Sequence, residues 1–165
     1  TFVQINLPGD VAASAVAAGG GHCLVLGSDG YVYSWGFNFA GQAGLGTTTV
    51  VITAPAKIFA PANVKMVRAG ANHSQIVTNA GELYVFGDNF LGQLGNSTTN
   101  LTSPVRNSFF SAVSSASCGE NNSYVISAAG NYAFGDNSFG QVGNGLTSES
   151  GVSIPAQLNI ASPWN

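Results

Sequence analysis

The chain has 165 residues, of which 7% are charged and 45% hydrophobic, whereas an ordinary soluble domain carries about 25% charged side chains. The net charge is −3 and Lys57, Lys65, Arg68 and Arg106 supply all the positive charge. This excludes a basic footprint on nucleic-acid phosphates, and the lack of an apolar run of about 18 residues excludes a helical membrane span within this sequence. Gly, Ala, Ser, Thr and Asn fill the deficit, a balance unlike a cytosolic enzyme's that points to a secreted, surface or polymer-forming protein.

The start, Thr1-Phe2-Val3, is neither a signal peptide nor an initiator methionine, and reads as a chain that begins after processing or part-way into a longer polypeptide. The alternation of residues 2–7 predicts a strand. It is similar to the segments after Pro55 (Ala56-Lys57-Ile58), Pro104 (Val105-Arg106) and Pro155 (Ala156-Gln157-Leu158), so residues 1–15 read as the end of a preceding repeat.

Three copies of one pattern follow. Residues 16–44 read VAAGGGHCLVLGSDGYVYSWGFNFAGQAG, residues 67–95 VRAGANHSQIVTNAGELYVFGDNFLGQLG, and residues 116–143 ASCGENNSYVISAAGNYAFGDNSFGQVG. Gly19, Gly70 and Gly119 align, as do Gly36, Gly87 and Gly135, and the pairs Gly41-Gln42, Gly92-Gln93 and Gly140-Gln141. The third copy is one residue short between Gly130 and Gly135. A period near about 50 residues is the mark of a propeller or stacked-repeat array. Repeats at approximately 16–66, 67–115 and 116–165 make residues 1–165 a single repeat domain.

Within each copy, short runs of strand formers flank a turn: residues 23–26 and 31–35, 75–77 and 83–86, 124–126 and 132–134. Ser28-Asp29-Gly30 and Asn79-Ala80-Gly81 are hairpin turns by composition. Several runs are apolar on successive residues, which predicts strands covered on both faces. Exit loops at 46–53, 96–103 and 144–154 vary in length. The sequence ends at Ser162-Pro163-Trp164-Asn165, where a further repeat is expected to start.

These residues resemble the regulator-of-chromosome-condensation repeat, shared with β-lactamase inhibitor protein II. The second copy carries the pattern as Ala69-Gly70, His73-Ser74, Gly81, Tyr84 to Asn89 and Gly92-Gln93-Leu94-Gly95; the first as Gly19, His22-Cys23, Asp29-Gly30, Tyr33-Ser34-Trp35-Gly36, Asn38 and Gly41 to Gly44. The resemblance implies an all-β fold, a propeller of four-stranded antiparallel blades. A full ring is usually seven blades, roughly 350 residues at this period. This chain supplies about three, so a longer chain, further identical copies or an open stack must complete it. Exchange-factor members act on a small GTPase through an insertion between blades and bind chromatin through a basic region, and neither feature is visible here.

The chemistry-bearing residues are few. His22 and His73 share one repeat position, which Asn122 takes in the third copy, and read as buried polar ties between a strand and the next backbone. Trp35, Phe86 and Phe134 are equivalent and read as core aromatics. Asp88-Asn89 and Asp136-Asn137 lack the bidentate Glu of a calcium loop and read as Asx turns. Cys23 and Cys118 occupy different repeat slots and read as free, buried thiols. No nucleophile, base and orienter converge, no carboxylates pair, and no metal or cofactor set is visible. Sequons stand at Asn72, Asn96, Asn100 and Asn121, with the exit-loop pair best placed for N-linked glycans. The expected function is a non-enzymatic, extracellular repeat module that binds a protein partner or further copies of itself. The alternatives are an intracellular propeller acting as a GTPase exchange factor and a loop-based enzyme inhibitor.

Overall fold

The structure, a computed structural model, describes residues 1–59, 61–96 and 99–158. The expectation for Ser162 to Asn165, and part of that for the exit loop at 96–103, lies outside the described residues. Twelve strands form three antiparallel sheets of four. The first holds β1 (Ala13–Ala18), β2 (His22–Gly27), β3 (Val32–Phe37) and β4 (Val51–Lys57) in that order. The second holds β5 (Val64–Ala69), β6 (His73–Thr78), β7 (Leu83–Gly87) and β8 (Leu101–Arg106); the third holds β9 (Val113–Cys118), β10 (Asn122–Ser127), β11 (Gly130–Asn137) and β12 (Ser148–Gln157). These are three propeller blades with consecutive strands paired. A period drawn from Val16, Val67 and Ala116 therefore starts inside each blade's first strand. No helix among the described residues is long and apolar enough to cross a membrane.

The hairpin glycines act as their sequence predicts. Gly30 and Gly81 take φ of +78° and +76°, and their N–H groups donate to Gly27 O at 3.0 Å and Thr78 O at 2.9 Å. The missing residue of the third copy is absorbed at this turn, where Ser127 pairs directly with Gly130. The register beyond it is unchanged: His22 faces Gly36, His73 faces Gly87 and Asn122 faces Gly135.

The core lies in the seams between blades. Leu24, Leu26, Val32 and Ile58 of blade 1 pack on Val64, Val67, Ile76 and Phe86 of blade 2. Val77, Leu83, Val85 and Leu94 pack on Val113, Ala116, Val125 and Phe134 of blade 3, with Phe110 stacked on Phe134 at 5.8 Å between centroids. Blade 2 is covered on both sides, and every residue of β6 is buried. The outward-facing side of blade 3 leaves Ile126 half exposed, so β10 alternates instead. The low charge content follows from this arrangement, because a doubly covered sheet has few positions where a charge stays in water.

Three expectations need correction. Residues 2–7 form no strand; Phe2, Val3 and Ile5 are exposed and Leu7 alone is buried, against Val25 and Tyr33. A strand needs a partner ladder, and among the described residues no strand lies alongside. Leu7 stands six residues before β1, as Ile58 stands six before β5 and Asn107 six before β9. Trp35 is only half-buried, whereas Phe86 and Phe134 are fully buried. Each equivalent ring points into the seam toward the preceding blade, and within this chain none precedes blade 1. Cys23 and Cys118 are free but half-buried rather than buried; burial still pushes the Cys118 thiol up.

One seam residue breaks the pattern. Gln75 is fully buried in β6 on the side toward blade 3, and neither its Nε2 nor its Oε1 has a protein partner. Leu24 holds the equivalent place in β2. Gln75→Leu is expected to raise unfolding stability by about 1–3 kcal/mol, by removing the desolvation cost of an unpaired amide. Urea midpoints of the two proteins check this, and a lower midpoint for the variant would contradict it.

Candidate protein-interaction face

Strand alternation sorts the connections onto two ends. The β1–β2 and β3–β4 connections of blade 1 and their counterparts in blades 2 and 3 (β5–β6, β7–β8, β9–β10 and β11–β12), named below by the blade 1 labels, emerge at one end, and the β2–β3 turns and blade-to-blade links at the other. The first end is built on two kinds of side-chain clamp. In each β3–β4 loop a buried asparagine closes the backbone: Asn38 Oδ1 accepts from Ala43 N–H at 2.8 Å, Asn89 Oδ1 from Leu94 N–H at 2.8 Å, Asn137 Oδ1 from Val142 N–H at 3.0 Å. In each, the glutamine of the Gly-Gln pair does the same two residues back, Gln42 to Ala40, Gln93 to Leu91 and Gln141 to Phe139, at 2.8–2.9 Å.

Asp88 and Asp136 complete the clamp. Their Oδ1 atoms accept from Phe90 N–H at 3.2 Å and Ser138 N–H at 3.0 Å, which are Asx turns as expected, and their Oδ2 atoms accept from Gln93 and Gln141 Nε2. The carboxylates are thus spent on the loop. Among the described residues no three His, Cys, Asp or Glu side chains converge as a metal site.

What these rigid loops present is aromatic. Phe39 is 67% exposed, Phe90 86% and Phe139 91%, each immediately before or one residue from the Gly-Gln pair. Leu146 lies exposed in the third loop. Sequence reasoning passed over these rings; the signal was a phenylalanine recurring beside a Gly-Gln turn, outside any strand. Clustered exposed apolar residues mark interaction surfaces, while single ones are ordinary.

Charge divides between the ends. Asp88, Glu120, Asp136 and Glu149 lie at the loop end. At the other end Lys57 pairs with Asp29 at 3.8 Å and Arg106 with Glu82 at 3.4 Å, and Lys65 Nζ donates to Val113 O. Arg68 is tied between blades, its Nε donating to Ala116 O. Around the axis, Gly19 and Gly20, Gly70 and Ala71, and Gly119 and Glu120 line a hollow of about 500 Å³.

The predicted histidines lie beneath this end and hold blades together. His22 Nε2 meets Ser74 Oγ of the next blade at 2.8 Å, and Ser74 Oγ donates to Gln42 O at 2.8 Å. His73, Ser123 and Gln93 repeat the chain at 3.0 and 2.8 Å. Because each serine proton is committed to a carbonyl, Nε2–H is the donor and Nδ1 is a buried acceptor without a protein partner. Burial lowers both imidazoles from 6.5 to about 4, with a further push on His73 from His22. Gly19 and Gly70 make room for the rings, since a Cβ there would overlap the His22 and His73 imidazoles, and one at Gly119 would overlap the Asn122 amide.

The sequon asparagines also lie at this end. Asn72 Oδ1 accepts from Gln42 Nε2, Asn96 Oδ1 from Asn89 Nδ2 and Asn100 Oδ1 from Asn89 N–H. Asn100 is exposed, whereas Asn72, Asn96 and Asn121 are half-buried.

The family model described as the regulator of chromosome condensation (RCC1) repeat matches residues 29–77 and 80–126, and a second model of the same description matches 13–42 and 64–93. The chain belongs to the RCC1 repeat family. It is similar to the ultraviolet-B receptor UVR8 of Arabidopsis thaliana, 45% identical over 48% of this chain and 18% of the receptor. It is 38% identical to the protein RCC2 homolog of Danio rerio over 74% of this chain and 26% of that protein. Human WBSCR16 superposes with a TM-score of 0.78 at 28% identity, covering 91% of this chain and 38% of that one. Prp20p of Saccharomyces cerevisiae, described with its binding to Gsp1p and histones, superposes at 0.80 and 23% identity over 88% of this chain and 38% of its own, a likeness of fold. This RCC1 repeat chain therefore spans about a quarter or less of these two curated relatives.

Proposed function

We propose that this RCC1 repeat segment is a non-catalytic, protein-binding part of a propeller, and that the partner docks on the end carrying the β3–β4 loops. The observation that carries this is the set of exposed phenylalanines, Phe39, Phe90 and Phe139, on loops whose backbones are fixed by a buried Asn and by the Gln of the Gly-Gln pair. Rigid aromatic anchors give up little conformational entropy on binding. A scaffold fixed by neighbouring blades beneath variable loops is the usual division between support and recognition. The compartment is no part of the proposal, since blade-to-blade burial already accounts for the low charge. An exchange factor and a loop-based inhibitor are particular cases of this role.

Photo-cross-linking in cells tests it. With p-benzoylphenylalanine in place of Phe39, Phe90 or Phe139 of the full-length protein, discrete protein adducts are expected; the same group in place of Ser28 or Ala128, exposed at the opposite end, is expected to give none. Adducts confined to Ser28 and Ala128, or absent throughout, would overturn the proposal. The identity of the adduct separates the particular cases.

A further inference from the structure

We infer that the docking face is anchored on blade 1, at Phe37, Phe39, Val50 and Val51, and that its occupant is a lysine- and arginine-rich amphipathic segment of a partner protein. This rests on the reading of the loop end as a protein-binding face.

Phe37 departs from the repeat, because Asp88 and Asp136 hold its position. The backbones are alike: Phe37 N–H donates to Gly21 O at 2.7 Å, Asp88 N–H to Asn72 O and Asp136 N–H to Asn121 O at 2.8 Å. The aspartates brace their loops through Gln93 and Gln141. Phe37 has no oxygen to do so, and Gln42 donates instead to Asn72 Oδ1 of blade 2 at 2.9 Å. Blade 1 has exchanged a bracing carboxylate for exposed apolar surface. Phe37 is 39% exposed, Val50 50% and Val51 56%, and the Phe37 and Phe39 rings stack at 6.4 Å. Phe37 and Val51 face each other across β3 and β4, and the surface they leave exposed would be covered by a partner's apolar side chains.

Charge selects the partner. The loop end carries Asp88, Glu120, Asp136 and Glu149; the nearest cation among the described residues is Arg68 at the end of β5, whose guanidinium is tied to Ala116 O and Val67 O, so the face keeps an excess of negative charge. The Gln42 backbone lies against Gly87, which sets Asp88 beside the blade 1 loop. A second copy offering the same face would bring carboxylates against carboxylates, and nucleic acid or an anionic membrane would be repelled likewise. Glu120 and Glu149 are exposed and brace no loop, so lysine and arginine can pair with them and also lie favourably over phenylalanine rings.

The test uses the full-length protein and two labelled synthetic peptides in fluorescence-anisotropy titrations. One is built of Lys, Arg, Leu and Val; the other replaces Lys and Arg by Glu and Asp. The cationic peptide is expected to bind, more weakly in high salt, and the acidic one not to bind. Phe37→Asp with Phe39→Ser is expected to weaken binding at least about thirtyfold, the loss typical of a hot spot. Phe37→Asp restores the residue that blades 2 and 3 carry, so the fold is retained. Glu120→Lys with Glu149→Lys is expected to weaken binding and flatten its salt dependence. Equal binding of the acidic peptide would overturn the charge assignment and leave the docking face standing. Unchanged affinity in the Phe37→Asp, Phe39→Ser protein would overturn the anchor. A dimer of the unmodified protein that this variant abolishes would make a second copy the occupant, against the inference. Failure of the cross-linking experiment removes the face itself.

Discussion

Lowering the pH from about 7 to about 4 is expected to remove on the order of 3 kcal/mol of stability for each of His22 and His73. Both imidazoles fall from 6.5 to about 4 on folding, first because burial penalises the charged form. At about 1.4 kcal/mol per pKa unit, that drop gives the figure. The sign follows from proton uptake. Above pH 6.5 both histidines are neutral in the folded and the unfolded chain, and the whole contribution is present. As pH falls below 6.5 the unfolded chain binds protons that the folded chain refuses until about pH 4, so stability is lost across that window. Protonation would place a charge at Nδ1, which has no protein partner. Two such losses approach the entire stability of a typical domain, about 5–15 kcal/mol. Urea midpoints of the full-length protein across the window check this. The His22→Asn, His73→Asn protein, which copies the Asn122 of blade 3, is expected to lose most of the slope, and an unchanged slope would contradict the assignment. Carboxylates titrate from about pH 4.5 downward and enter only at the acid end.

Gly87→Ala is expected to cost more than about 4 kcal/mol and to prevent stable folding of blade 2 against blade 1. Gly87 has a φ of +99°, which alone penalises a side chain by roughly 1–2 kcal/mol. An added Cβ would also lie 2.5 Å from Asn72 O, 2.8 Å from His73 Cα and 3.1 Å from Gln42 Cα. These are backbone atoms, two from its own blade and one from the preceding loop, and none can swing aside. Gly145 supplies the internal control, with a φ of +80° and nothing within 4 Å of its Cβ. Gly145→Ala is expected to cost only the conformational part. Thermal denaturation of the two variants compares them, and equal losses would show that close approach at Gly87 contributes nothing.

The fold was legible because its constraints are local and repeated. The hairpin glycines, the short β-rich runs and the triplicated Gly-Gln turns each name a backbone requirement, and three copies in register make coincidence untenable. The continuous burial of β6 was not visible as an apolar run, because only Ile76 and Val77 of its six residues are apolar; it follows from a middle blade having two neighbours. The status of Trp35 and of residues 2–7 was not visible either, because burial at the ends of an array depends on what lies beside it and not on the residue. The roles of Ser74 and Ser123 were hidden for a related reason. Each bonds a histidine about fifty positions earlier, and only the blade-to-blade register brings them together. The docking face was least legible. Apolar residues in loops look like noise in a pattern read for strands, and Phe37 stood out only once its backbone was seen to bond as those of two aspartates do.

The measurement that bears most directly on the proposed face is the cross-linking yield of the Phe39→Ser, Phe90→Ser, Phe139→Ser full-length protein, with p-benzoylphenylalanine at Ser138 as reporter. The three rings are exposed, so the substitutions are expected to change stability by no more than about 0.5 kcal/mol each. The account predicts an unchanged melting temperature and loss of the adducts; adducts that persist at the same yield would contradict it.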